Sequence, residues 1–109
     1  LGLQQMTGLY RDSDEADILT TEKICDLKPD FVRIYPTLVF NNTDLADYYK
    51  SGLYTPHTLD HAVDLCKKIK AIYDEHNIKI IRLGLLMSDD EAKNNFLSGP
   101  YHPRFRELI

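Results

Sequence analysis

Three strand-like runs separated by helix-like runs constrain this chain more than any other feature. "LGLQQM" at residues 1–6 reads as a short first strand, "FVRIY" at 31–35 carries the β-branched and aromatic density of a buried strand, and "IKIIRLGL" at 78–85 reads as a third strand. Between the first two, Ile18, Leu19, Ile24, Cys25 and Leu27 keep approximate helical spacing, which predicts a helix over 14–27 that Pro29 ends. Between the second and third, Leu59, Ala62, Val63, Cys66, Ile69, Ile72 and Tyr73 hold one apolar face of a helix over 59–76. Ser13 and Thr58 stand where N-caps belong. A shorter helical piece over 43–50 lies in the excursion between Tyr35 and Thr58, and Pro36, with no N–H to donate, predicts that the middle strand ends around Tyr35.

Strand, helix, strand, helix, strand makes two βαβ units that share their middle strand. The expected class is α/β, with three parallel strands and right-handed crossover helices. Ligands of such sheets sit beyond the carboxyl ends of the strands, here the loops after residues 6, 35 and 84. At 109 residues the expectation is a single domain over 1–109. Two helices cover one sheet face and leave the other without an evident partner. The chain begins at Leu1, not Met, inside an apolar run, and together these features predict a piece of a larger barrel.

A 43% hydrophobic and 28% charged composition argues against a disordered or fibrous chain. The net charge is -4 and the 13 Lys and Arg are scattered, so nothing marks a groove for a phosphate backbone. No apolar run reaches the roughly 20 residues of a membrane span. The expected setting is cytoplasmic, with no membrane association.

Strand alternation sorts the candidate residues into faces. Val32 and Ile34 fall on one side and Arg33 and Tyr35 on the other; Ile81, Leu83 and Leu85 oppose Ile80, Arg82 and Gly84. With the apolar sets facing the helices, Arg33, Tyr35, Arg82 and one of Gln4 and Gln5 project into the space a barrel would enclose. Two arginines aimed at one interior suit an anionic ligand, since an unpaired buried charge is costly. The alternative is that both reach a sheet edge or meet surface carboxylates.

Other residue types point to structure before chemistry. Cys25 and Cys66 lie in helix-like patterns with no CxxC, as buried free thiols do. His57 and His61 have helical metal spacing, but no third ligand is evident in the sequence and solvated histidines are expected. "DSDEAD" and "SDDEA" lack the glycine and bidentate glutamate of a calcium loop and read as helix starts. Tyr48, Tyr49 and Tyr54 could stack bases but suit packing beneath a loop, and His102 between prolines reads as a rigid turn with a conceivable site role.

The strings "GLQQMTGL", "VRIYPTLVF", "NNTDL…YKSGLY", "IRLGL" and "SGPYHPRFREL" resemble the C-terminal part of the radical S-adenosylmethionine (SAM) domain. The similarity is to bacterial proteins related to the Elongator catalytic subunit and to oxygen-independent coproporphyrinogen oxidase. That resemblance implies a partial (βα)6 TIM-like barrel, of which this chain supplies the fourth, fifth and sixth strands. It implies S-adenosylmethionine and a 4Fe-4S cluster as cofactors of the parent enzyme, the cluster held by a CxxxCxxC loop that this chain lacks. Gln4, Met6, Arg33, Tyr35, Arg82 and Gly84 match the positions of the family's cofactor or substrate contacts. The family reads GLP followed by Gly where this chain has "GLYRD", which leaves the shape of that loop open.

The resulting expectation is a fragment of a radical SAM enzyme, inactive alone, completed by the rest of its barrel and acting in tRNA modification. The rival reading is a noncatalytic α/β binding or assembly module, either anion-binding or completed at its open sheet edges by a partner or a second copy.

Overall fold

The alternation of runs becomes an α/β fold in the computed structural model, which describes residues 1–84, 95–102 and 104–109. The elements are β1 at Gly2–Thr7, α1 at Asp14–Asp26, β2 at Phe31–Pro36, β3 at Val39–Phe40, α2 at Asp44–Lys50, α3 at Leu59–Glu75, β4 at Lys79–Leu83, β5 at Phe96–Ser98, and a 3-10 turn at Phe105–Leu108. Leu85, the "SDDEA" segment and Pro103 lie outside the described residues.

β1, β2 and β4 form a three-stranded parallel sheet in chain order, β1 beside β2 and β2 beside β4. Strands added in sequence, without a reversal of order, put both crossover helices on one face, as in a barrel wall. α1 and α3 accordingly pack together over the sheet. Ile24 and Cys25 of α1 and Leu65, Cys66, Ile69 and Tyr73 of α3 bury against Val32 and Ile34 of β2 and Leu83 of β4. Each aliphatic side chain fully removed from water there contributes about 1.5–3 kcal/mol. Phe105 returns to the same core at 2% exposure, so the tail is part of the packing.

Helix starts follow the cap residues. The Ser13 hydroxyl accepts from the Ala16 N–H and the Thr58 hydroxyl from the His61 N–H, both at 3.1 Å. Because parallel strands are joined by helices that run the same way, both caps lie at one end of the sheet, beyond the strands' carboxyl ends.

Two features depart from simple alternation. The β2–β4 register shifts between Val32, paired with Ile80, and Arg33, paired with Arg82. Ile81 is the extra residue of a bulge, which reverses the facing of everything before it. Ile80, not Ile81, therefore joins Leu83 against the helices, and Ile81 is 39% exposed. The second departure is an antiparallel pair, Val39 with Ser98 and Phe40 with Phe96. It supports a small cluster of Val39, Ala46 and Tyr54 with Tyr10, Leu45, Tyr49 and Leu97 packed on it. That cluster draws on the loops after β1 and β2, so it caps the carboxyl end of the sheet.

Candidate functional site

The sheet face turned away from the helices carries the arginines. Register pairs Gln4 with Arg33 and Arg33 with Arg82, one row across all three strands, and Met6 with Tyr35 one step nearer the carboxyl ends. The row is made of one glutamine and two arginines, cationic and polar in residue type. The Arg33 guanidinium lies over the Phe31 ring, 5.2 Å from its centroid, a stacking that orients it along the face. Tyr35 is buried at 4% exposure yet belongs to neither apolar cluster, as expected of a residue on this second face. The Gly84 N–H donates to the Ile34 carbonyl at 3.1 Å and closes the β4 end.

The choice between Gln4 and Gln5 is resolved by hydrogen bonds. Gln5 is buried under the helices, where its amide donates to Thr21 Oγ1 at 3.0 Å and the Tyr73 hydroxyl donates to its Oε1 at 2.7 Å. A glutamine so held is structural, since a buried amide without partners is costly. Gln4 alone takes the open face.

The loop after β1 has a definite shape. Gly8 has φ 71°, a left-handed conformation that glycine adopts without strain. Its N–H donates to Asp17 Oδ2 at 3.2 Å, and its carbonyl accepts from the Tyr54 hydroxyl at 2.6 Å. The His57 ring packs against it so closely that a Cβ added there would lie 3.0 Å from Cε1. Arg11, at φ 62°, lies over the Tyr10 ring. Beside this loop a cleft of about 390 Å³ is lined by Gln4, Met6, Tyr10, Arg11, Asp12 and Asp17. Asp17 is 3% exposed, and its carboxyl is pushed up to about 7, first by burial and then by a hydrogen bond with Asp12, against the lowering effect of the Gly8 N–H.

The histidines are not simply solvated, and a third polar group accompanies them. The His57 side chain is 17% exposed and its ring stacks on His61, centroids 3.9 Å apart and planes at 17°. His61 Nε2 lies 2.7 Å from Asp14 Oδ2, and His57 Nε2 lies 3.9 Å from Asp14 Oδ1. Burial, then the neighbouring His61, holds the His57 pKa below its ordinary value. The sequence signal for this meeting was present in the two caps. Ser13 puts Asp14 in the first turn of α1 and Thr58 puts His61 in the first turn of α3, and both turns begin at one end of the sheet.

The remaining candidates have structural settings. Cys25 and Cys66 are free and buried, and burial pushes the Cys66 thiol up to about 12. Tyr54 and Tyr49 belong to the small cluster, and Tyr48 stacks on Tyr10 at 4.7 Å. His102 Nδ1 accepts from the Arg104 N–H at 3.0 Å, within a turn. No helix among the described residues is long and apolar enough to cross a membrane.

Comparison with known proteins places this geometry in a family. The profile of the Radical_SAM C-terminal domain matches residues 29–109. A tRNA uridine(34) acetyltransferase of Dehalococcoides mccartyi is 33% identical over 90 residues, covering 80% of this chain and 19% of that protein. The enzyme of the same name from Methanocaldococcus infernus is 36% identical over 70 residues, 62% of this chain and 13% of that protein. The one from Methanocaldococcus jannaschii is 40% identical over 47 residues, 43% of this chain and 9% of that protein. The chain thus spans less than a fifth of the length of the curated relatives it matches. With the profile covering most of the chain, including β2, β4 and their two arginines, this protein belongs to the radical SAM superfamily as a member of its C-terminal domain family.

Proposed function

We propose that this chain is the part of a radical SAM enzyme that supplies cofactor and substrate contacts from the last three strands of a (βα)6 barrel. The observation that carries the reading is the row Gln4, Arg33, Arg82, with Met6 and Tyr35 above it, on the face opposite the helices. Its chemistry fits S-adenosylmethionine. Arg33 and Arg82 suit the methionyl carboxylate, Met6 and Tyr35 offer apolar and aromatic surface to the adenosine, and the Gly84 backbone leaves room for close approach. The cofactor supplies the radical chemistry when bound, and these residues bind and orient it.

The iron-sulfur cluster does not fit this chain. Cys25 and Cys66 are buried on the helix side of the sheet, so a 4Fe-4S cluster of the parent enzyme takes its thiolates from elsewhere. β1 and β4 each pair with one strand among the described residues, and their outer edges suit the remainder of the barrel. A second copy on those edges is the rival arrangement.

The substrate class we propose is tRNA, supported by the name shared by three relatives. A net charge of -4 leaves most phosphate contacts to other parts of the parent, and the open face would receive the reacting group. A tRNA-modifying enzyme of this kind works in the cytoplasm.

The test is anaerobic reconstitution of the full-length protein with iron and sulfide, followed by titration with S-adenosylmethionine. The expected results are the visible absorption of a 4Fe-4S cluster and cofactor binding that Arg33→Leu weakens. A protein that takes up no cluster overturns the radical SAM role; a cluster-bearing protein whose Arg33→Leu variant binds the cofactor unchanged overturns the site assignment.

A further inference from the structure

We propose that Asp14, His57 and His61 form a binding site for a divalent transition-metal ion of the zinc class, which ties the start of α1 to the start of α3. One ligand atom from each residue can be chosen so that all lie within 4.8 Å of one another. Zinc takes imidazole nitrogen and carboxylate oxygen at about 2.0–2.2 Å, so neighbouring donors around it stand roughly 3.4 Å apart. From the one oxygen Asp14 Oδ1, His61 Nε2 lies 2.9 Å away and His57 Nε2 3.9 Å, distances that bracket that spacing. Small side-chain rotations close the difference, and Asp14 and His61, at 42% and 44% exposure, are free to make them.

The backbone already holds the donors in place. Ser13 caps the turn that carries Asp14, and Thr58 caps the turn that carries His61. The His57 ring is fixed between Gly8 and the His61 ring. Two imidazoles with one carboxylate select a borderline transition metal over calcium or magnesium, which prefer sets composed of oxygens. Three protein donors with partly exposed rims leave the fourth position to water.

The location links the ion to the ligand face. His57 packs on Gly8, in the loop that leads from β1 to the cleft beside Gln4 and Met6. A metal joining His57 and His61 to Asp14 would fix that loop from behind, whatever occupies the open face, so this proposal stands independently of the cofactor assignment.

The test is titration of the intact protein with Zn²⁺ by calorimetry and with Co²⁺ by visible absorption, comparing wild type with His61→Gln and Asp14→Asn. The difference between proteins isolates this site from any other metal centre. Either substitution should weaken one class of binding by at least the roughly 10-fold that losing even an outer-shell partner costs, and should remove the Co²⁺ ligand-field bands of that class. His76→Gln, at the far end of α3, should leave both unchanged. Zn²⁺ should also raise the unfolding midpoint of wild type more than that of His61→Gln, since an ion that binds only the folded state stabilises it. Equal binding and equal midpoint shifts in wild type and both variants would overturn the proposal, leaving Asp14 and His61 as a hydrogen-bonded pair only.

Discussion

The Tyr54 hydroxyl donates a 2.6 Å hydrogen bond to the Gly8 carbonyl across 46 residues of sequence. It joins the small cluster beyond the strand ends to the loop that leaves β1, and with the Asp17 carboxylate on the Gly8 N–H it satisfies both backbone polar groups of that glycine. Tyr54→Phe keeps the ring and strands the carbonyl, so urea denaturation should show a loss of about 1–3 kcal/mol. The same variant should loosen the loop, measurable as faster amide exchange around Gly8 than in wild type.

Arg33 lies in the middle of the cationic row, half-buried and stacked on Phe31. Replacing it with leucine removes a charged donor from the open face without touching the helix-side core. Affinity for S-adenosylmethionine in the full-length protein should fall about 10-fold or more, the value of one charge-assisted hydrogen bond, while the denaturation midpoint moves little. Calorimetric titration of both proteins checks this, and equal affinities would place the cofactor elsewhere.

Asp17 makes stability depend on pH in a direction unusual for a carboxylate. Its folded pKa of about 7 lies above the ordinary 3.8 of an aspartate, so between these values the folded state binds the proton that the unfolded state has released. Stability should therefore rise as pH is lowered from about 7 toward 4, and be lowest above the folded pKa. Asp17→Asn keeps an oxygen for the Gly8 N–H without the charge. It should flatten that slope and stabilise the protein at pH about 8, as read from denaturant unfolding at several pH values.

Phe105, in the 3-10 turn, is 2% exposed and packs into the core beneath α1 and α3. Phe105→Ala should cost about 3–5 kcal/mol, as other large-to-small core substitutions do. A loss below about 1 kcal/mol in chemical denaturation would show that the tail is peripheral to folding.

The sequence exposes whatever depends on local period. Apolar spacing reveals the three strands and two crossover helices, Ser13 and Thr58 cap where their side chains suggest, and both cysteines are buried as their neighbours imply. Features that depend on one residue more or less, or on distant partners, are hidden. The bulge at Ile81 exchanges the facing of two chemically identical isoleucines, so no pattern of side chains could reveal it. Gln4 and Gln5 are likewise indistinguishable until Thr21 and Tyr73 claim one of them. A two-residue strand such as Val39–Phe40 is too short to have a period. Asp14 and His61 meet across 47 residues, and only the shared direction of their helices brings them together.

The bulge in β4 also separates position in the chain from position in space. Without Ile81 the remaining pairs, Phe31 with Lys79, Val32 with Ile80, Arg33 with Arg82 and Ile34 with Leu83, read as an uninterrupted ladder. The strand has absorbed one residue locally, leaving Arg82 level with Arg33 next door. A strand one residue shorter at this point would keep the same four pairings and leave both arginines in one row on the open face.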